Sequence, residues 1–212
     1  MSPRFLSVFL VGGIVSITSV TLAATPDQEF VLAHERMYTN GMTQYSALDA
    51  YRPDDRVTRE QAAKFFVEFD RKVMGREAET LMYCVYEDEA TFDPTLAGSI
   101  QSACNRKLML WSQGSFMWQQ PLTKAQALTI LIRSLEGAQD ESTSPRWKSY
   151  YSLAFQKGLT KEKDVRALDR PVTRYEIALL LRRVEHPLSV QEQDGDMSDI
   201  IQLLTELGLQ TE

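Results

Sequence analysis

The sequence is poor in the residue types from which most metal and redox sites are built. Its 212 residues include two cysteines and two histidines. The histidines, His34 and His186, are isolated from each other and from the cysteines, so they form no ligand cluster. The sequence therefore predicts no metal site and no cofactor, and we expect both histidines at the surface.

The sequence has one long apolar run, at its N-terminus, and no second one. Arg4 is followed by apolar residues from position 5 to about position 20 and then by small residues up to position 23. This order is typical of a secretory signal peptide. The run is short for a membrane span of about 20 residues, although an uncleaved anchor is the alternative. We assign residues 1–23 to a signal peptide, and predict an exported chain with no membrane span after cleavage.

Excess positive charge is also missing. The chain has 23 Lys and Arg against 29 Asp and Glu, a formal net charge of −6. Such an acidic chain is a poor candidate for binding nucleic acid or an anionic membrane through bulk charge. Any anionic ligand must be held by a few placed cations.

The two cysteines, Cys84 and Cys104, lie twenty residues apart. Disulfides persist in the oxidising compartments that a signal peptide leads to, so we predict a disulfide, with two buried free thiols as the alternative. A loop of this size would contribute about 3 kcal/mol to stability.

A repeat runs through the remaining sequence and is anchored on three threonines, Thr58, Thr123 and Thr173. The segments read VTREQAAKFFVEF, LTKAQALTILIRS and VTRYEIALLLRRV. The fourth, fifth, seventh and eighth residues after each threonine are apolar, which predicts one buried stripe of an amphipathic helix in the same register each time. Three residues after each threonine stands Gln61, Gln126 or Glu176, which completes a capping box for the helix start.

A second helical segment and a loop precede each capped helix. Gly41 and Gly158 are suited to end two of these segments, and Leu108 holds the corresponding place in our alignment. The unit is thus helix, extended loop, helix, present three times. We predict an all-α fold in which the three apolar stripes cover one another around an axis.

The three units resemble the S-layer homology domain. The resemblance rests on an aromatic and a proline before hydrophobic-Thr-Arg-x-Glu, on helices ending in Gly-hydrophobic-Thr, and on VYED at residues 85–88. It covers roughly residues 26–187 and implies a pseudo-threefold arrangement around a central three-helix bundle. The boundaries are 24–80, 81–140 and 141–187 for the three repeats, and 188–212 for a linker and a C-terminal amphipathic helix.

A cation follows each capping threonine: Arg59, Lys124 or Arg174. A cation near a helix N-terminus is mildly unfavourable, so three of them require compensation. One hypothesis is an anion held by each cation and the free backbone donors of the helix start. The other is that nearby carboxylates such as Asp55 and Asp169 neutralise the cations, or that their stems cover the core.

The resemblance favours the anion hypothesis, because S-layer homology domains hold acidic, often pyruvylated, cell-wall polysaccharide in the groove around this motif. By their match to the family motif, we rank the groove around Thr58 and Arg59 first as a binding site. The groove around Thr173 and Arg174 ranks second, and that around Thr123 and Lys124 ranks third. Lysine ranks last because it lacks the planar fork of arginine. Several aromatic residues are either sugar platforms or core residues. These are Tyr51, Phe116, Trp118, Trp111 and Trp147.

We find no enzyme motif, and the three repeats leave no room for a separate catalytic domain. The sequence thus predicts a non-enzymatic bacterial envelope protein that binds wall polysaccharide through its repeats. The alternative is a secreted helical scaffold that binds another envelope protein.

Overall fold

The computed structural model describes residues 26–77, 84–110, 114–142 and 144–189. The predicted signal peptide, the predicted C-terminal helix and Trp111 lie outside these residues. Within them every regular element is helical, which confirms the all-α class. None of the helices in the described ranges is long and apolar enough to cross a membrane.

Seven α-helices and two 3₁₀ helices account for the regular structure of the described residues. The α-helices are α1 Pro26–Thr39, α2 Leu48–Tyr51, α3 Arg59–Lys72, α4 Ala97–Asn105, α5 Lys124–Glu136, α6 Lys148–Gln156 and α7 Arg174–Glu185. The 3₁₀ helices are Glu89–Thr91 and Val165–Asp169, in the second and third units.

The predicted capping boxes are present at the starts of α3, α5 and α7. In each, the threonine hydroxyl accepts a hydrogen bond from the backbone N–H three residues later, and the Gln or Glu side chain accepts one from the threonine N–H. The predicted apolar stripe is buried in all three helices, except that Phe65 is only partly buried.

The three units are joined by a closed ring of three backbone hydrogen bonds. The residue before each capping threonine takes part: Val57, Leu122 and Val172. Val57 donates to Val172 at 3.0 Å, Val172 donates to Leu122 at 2.8 Å, and Leu122 donates to Val57 at 2.8 Å. All three residues are fully buried, so no water is available to replace these bonds.

A second set of bonds runs around the three units in the opposite direction. The first residue of each capped helix donates its backbone N–H to a carbonyl in the loop of another unit. The bonds are Arg59 to Gln120 at 3.0 Å, Lys124 to Arg170 at 3.0 Å and Arg174 to Asp55 at 2.9 Å. These contacts satisfy donors that a helix start otherwise leaves open.

Each capped helix packs mainly against the outer helix of the next unit, so α3 pairs with α4 and α5 with α6. Helix α7 closes the order by packing against α1. Arg183 on α7 donates to both carboxylate oxygens of Glu29 on α1, at 2.7 and 2.8 Å. Helix α5 also contacts α3 and α7, and the capped helices are further linked by the ring at their N-terminal ends.

The outer helices α1, α4 and α6 end in the left-handed conformation at Gly41, Lys107 and Gly158, with φ of 62°, 56° and 68°. In each case the next residue donates its N–H to the carbonyl five residues earlier. Our alignment of Leu108 with the two glycines is therefore wrong by one residue. Lys107 is the counterpart, and it adopts the positive φ despite its side chain.

The predicted disulfide between Cys84 and Cys104 is present and ties the chain before α4 to the end of that helix. The surface prediction is wrong for one histidine. His186 is exposed, but His34 is buried, with its ring 5.0 Å from Tyr51 and 6.3 Å from Phe30. His34 lies on the buried face of α1 with Phe30 and Ala33. Our prediction considered only its distance from other possible metal ligands and not its place on this helix.

Replacing Thr123 by Ala should lower the free energy of unfolding by about 1 kcal/mol, because the cap of α5 is lost. Urea denaturation monitored by circular dichroism measures this value. Thr123→Ser keeps the hydroxyl and is the matched control. Equal stabilities of the two variants would contradict a capping role.

Replacing both cysteines by serine should lower the free energy of unfolding by about 3 kcal/mol, the value for a loop of this size. The same measurement on the oxidised wild type, with and without a reductant, provides a second test. If reduction leaves the denaturation midpoint unchanged, the disulfide does not stabilise the fold.

Candidate functional site: three charged grooves

Arg59 and Arg174, the arginines that follow two of the capping threonines, bond to the loop before the capped helix of another unit. Arg59 donates through Nε to the carbonyl of Phe116 at 2.7 Å, and Arg174 donates through Nη1 to the carbonyl of Tyr51 at 3.0 Å. Both carbonyls stand seven residues before a capping threonine. The arginine of each Thr-Arg pair therefore has a structural role, because it holds the loop of another unit in place.

Lys124 behaves differently, because its partners are carboxylates. Its Nζ lies 3.1 Å from Glu162 and 3.5 Å from Glu176, and its side chain is only 12% exposed. The hypothesis that nearby carboxylates neutralise the cation is therefore correct for Lys124, although the carboxylates are Glu162 and Glu176 and not Asp169. The two arginines use carbonyl oxygens instead.

Most of the expected free backbone donors are already bonded at the described helix starts. The first N–H of each capped helix bonds to a loop carbonyl, and the third bonds to the capping threonine. The second N–H of α3 and of α7 also has a carbonyl partner, at 3.2 Å from Trp118 and 2.9 Å from Pro53. An anion at these sites would therefore have to use side chains.

Two of the predicted sugar platforms are core residues. Tyr51 is 1% exposed and Phe116 is fully buried. Phe116 packs 5.5 Å from the Tyr86 ring and 4.9 Å below the Arg59 guanidinium. Trp118 is partly buried, and its indole N–H donates to Thr91 at 2.9 Å. Because Tyr51 and Phe116 are part of the apolar core, their rings are not open to a ligand.

Among the described residues, three grooves between the helix pairs each contain one of the cations that follow the capping threonines. We name them by that cation. The Arg174 groove, about 570 Å³, runs along α3 beside the loop of residues 41–45. The Arg59 groove, about 420 Å³, runs along α5 and reaches α6. The Lys124 groove, about 390 Å³, runs along α7 beside residues 160–162.

The Arg174 groove carries an excess of positive charge. Its lining contains three cations, Lys64, Lys72 and Arg174, and one carboxylate, Glu68. Glu68 already binds Lys72 at 2.8 Å. The Nε of Arg174 is buried and has no hydrogen-bond partner among the described residues. The ring of Tyr45, 37% exposed, also lines this groove.

The Arg59 groove also has three cations and one carboxylate, but Arg59 itself already bonds to backbone carbonyls. Arg59, Arg133 and Arg146 face one carboxylate, Glu141. Arg59 makes a second bond, from Nη2 to the carbonyl of Leu110 at 3.3 Å. Burial lowers the pKa of Arg59, although nearby Tyr86 and Asp88 oppose that change. Arg133 binds Glu141 and the hydroxyl of Tyr150.

The Lys124 groove is nearly neutralised by its own side chains. Four cations and three carboxylates line it. Arg170 binds both oxygens of Glu176, at 2.8 and 2.5 Å. Burial raises the pKa of Glu176, but the Arg170 hydrogen bond and the charge of Lys124 outweigh it and hold this pKa below its ordinary value. This groove has the least capacity for an added anion.

By these contacts the Arg174 groove is better suited to an added anion than the Arg59 groove, which is the opposite of the order expected from the sequence. Arg174 retains a buried Nε–H without a partner, whereas the Arg59 side chain already donates to two carbonyls. The sequence reasoning also missed Tyr45, Lys64 and Lys72, which complete the Arg174 groove. Trp147, the remaining candidate platform, lines the Arg59 groove and is partly buried.

No protein-family model matches the chain, and no curated protein matches it either.

Arg59→Met should lower the free energy of unfolding by roughly 1–3 kcal/mol, since it leaves two carbonyls without their donor. Arg174→Met should cost less, because it removes one such bond and also an unsatisfied buried donor. Urea denaturation of the two variants, which are matched in chemistry, gives the comparison. A larger loss for Arg174→Met would contradict the assignment of Arg59 as the more structural residue.

Proposed function

We propose that this chain is a non-enzymatic S-layer homology protein that binds acidic cell-wall polysaccharide and is thereby retained at the bacterial surface. The observation that carries the proposal is the Arg174 groove. It combines three cations against one carboxylate, a buried guanidinium N–H without a partner, and an exposed tyrosine ring.

Each feature of this groove suits an acidic sugar chain. A carboxylate would accept the Arg174 Nε–H and form a charge-assisted hydrogen bond, which is stronger than a neutral one. Lys64 is exposed and adds long-range attraction for the anion. The Tyr45 ring offers a flat apolar face against which a sugar ring packs. The Arg59 groove is the second candidate, through Arg146 and Trp147.

The alternative is a scaffold that binds another envelope protein through apolar contacts. Helix α1 favours it, since Val31, Leu32 and Tyr38 on this helix are 44%, 40% and 47% exposed. Apolar contacts depend little on salt, whereas the interaction of exposed charges weakens as salt is added. Salt dependence therefore separates the two functions.

The test is co-sedimentation of residues 24–212 with purified bacterial wall sacculi, before and after acid removal of the secondary polysaccharide. We expect binding that is lost on stripping and falls with salt. Arg174→Gln should weaken binding about tenfold or more, the value of one hydrogen bond to a charged group. Lys64→Gln and Tyr45→Ala should weaken it less, because both side chains lie at the edge of the site.

Matched controls are available on the same surface. Tyr38→Ala removes an exposed tyrosine from α1, and Arg166→Gln removes an exposed cation from a residue that lines none of the three grooves. Neither should change binding. Binding to stripped sacculi that resists salt and depends on Tyr38 would support the scaffold instead, and would refute the glycan proposal.

A further inference from the structure

Glu60 is a buried carboxyl group at a position where the other two units carry no carboxylate. It is the second residue of α3, and the second residues of α5 and α7 are Ala125 and Tyr175. Only 8% of Glu60 is exposed, and its Oε2 is buried without a hydrogen-bond partner among the described residues. A buried carboxylate oxygen without a partner is costly in its charged form, which favours a proton on this group.

The group that faces Glu60 carries the same charge. The backbone N–H of Asp93, which precedes α4, donates to the Glu60 carboxylate, and the two carboxylates repel each other. Asp93 Oδ1 accepts from the hydroxyl and the N–H of Thr95, at 2.7 and 2.8 Å, and these bonds hold the pKa of Asp93 below its ordinary value. Asp93 therefore stays ionised in the pH range in which Glu60 titrates.

The chain that packs against Glu60 offers it no cation. Residues 84–105, which include Asp93 and all of α4, contain four carboxylates and no Lys or Arg. On the other side the Glu60 N–H donates to the carbonyl of Trp118 at 3.2 Å, and residues 116–120 contain no titratable side chain. Burial raises the pKa of Glu60, and the charge of Asp93 raises it further, whereas the Asp93 hydrogen bond opposes the rise without cancelling it.

Lys64 connects this pair of carboxylates to the Arg174 groove. It follows Glu60 by one helical turn, is exposed, and its charge attracts Asp93. Lys64 lines the Arg174 groove, and so does Leu96, the residue immediately before α4. The two carboxylates therefore offset the charge of a cation that an anionic ligand of this groove would use.

We propose that Glu60 is a proton-binding site that regulates the Arg174 groove. At neutral pH the ionised pair of Glu60 and Asp93 offsets the charge of Lys64. At mildly acidic pH a proton on Glu60 removes one of the two negative charges, and the groove binds an anion more tightly. This regulation rests on the proposed glycan function, whereas the proton site itself does not.

The proton site also determines the sign of a pH effect on stability. Because the folded chain holds this proton more tightly than the unfolded chain, the contribution of Glu60 is fully present below the ordinary glutamate pKa of about 4.3, and it is lost as pH rises through the higher folded value. Glu68 and Glu176, whose pKa values are lowered, act in the opposite direction. The informative quantity is therefore the difference between the wild type and Glu60→Gln.

Carbon-13 NMR of the carboxyl groups measures the proton site directly in residues 24–212. The Glu60 midpoint should lie above the ordinary value of about 4.3, and Asp93→Asn should lower it, since one repelling charge is lost. In urea denaturation, the free energy of unfolding of Glu60→Gln relative to the wild type should rise between about pH 4 and about pH 7. A midpoint at or below the ordinary value, or a relative stability that does not change with pH, would overturn the proton site.

Co-sedimentation with wall sacculi tests the regulation. At about pH 7, Glu60→Gln should bind about two- to fivefold more tightly than the wild type, the value of one exposed charge interaction. The two should converge as pH falls through the Glu60 midpoint that the NMR titration gives. Glu35→Gln removes an exposed carboxylate that lines none of the three grooves, and it should bind like the wild type at every pH.

The outcomes separate the regulation from the glycan function. Salt-sensitive binding that is equal in the wild type and Glu60→Gln at every pH would overturn the regulation and leave the glycan function in place. The absence of binding at any pH would overturn both, and the NMR titration would then decide the proton site alone.

Discussion

The ring of three backbone hydrogen bonds among Val57, Leu122 and Val172 is the constraint on which the rest of the structure depends. Each residue in it donates to one unit and accepts from another, so no unit completes its bonds alone. The ring lies directly before the three capping threonines and therefore fixes where the capped helices start. Because the ring is fully buried, breaking one bond would leave a polar group without water or partner.

This ring also explains why the Thr-Arg motif is structural before it is functional. The residues before the three helix starts are joined in the ring, and the first backbone N–H of each capped helix bonds to a loop of another unit. The side chain after the threonine is then aimed at the next loop, where Arg59 and Arg174 find the carbonyls of Phe116 and Tyr51. A cation at a helix N-terminus is tolerated here because oxygen atoms face it, whether or not a ligand is bound.

Similar units nevertheless form grooves of different electrostatic character. The Arg174 and Arg59 grooves each hold three cations against one carboxylate, whereas the Lys124 groove holds four against three. The difference arises from a few positions, above all Glu162 and Glu176, which face Lys124. The three units therefore share a backbone arrangement but differ in the charge of their grooves.

The sequence by itself determined the helical class, the three caps, the buried stripes and the cysteine pair, because each depends on contacts within one unit or on the redox compartment. Only the tertiary structure decided the cyclic ring, the burial of Tyr51 and Phe116, and the hydrogen bonds of Arg59 and Arg174. These depend on residues distant in sequence that packing brings together. The periodicity of a sequence reflects contacts within one helix and does not predict contacts between distant residues. It therefore could not show how the charges of the three grooves differ.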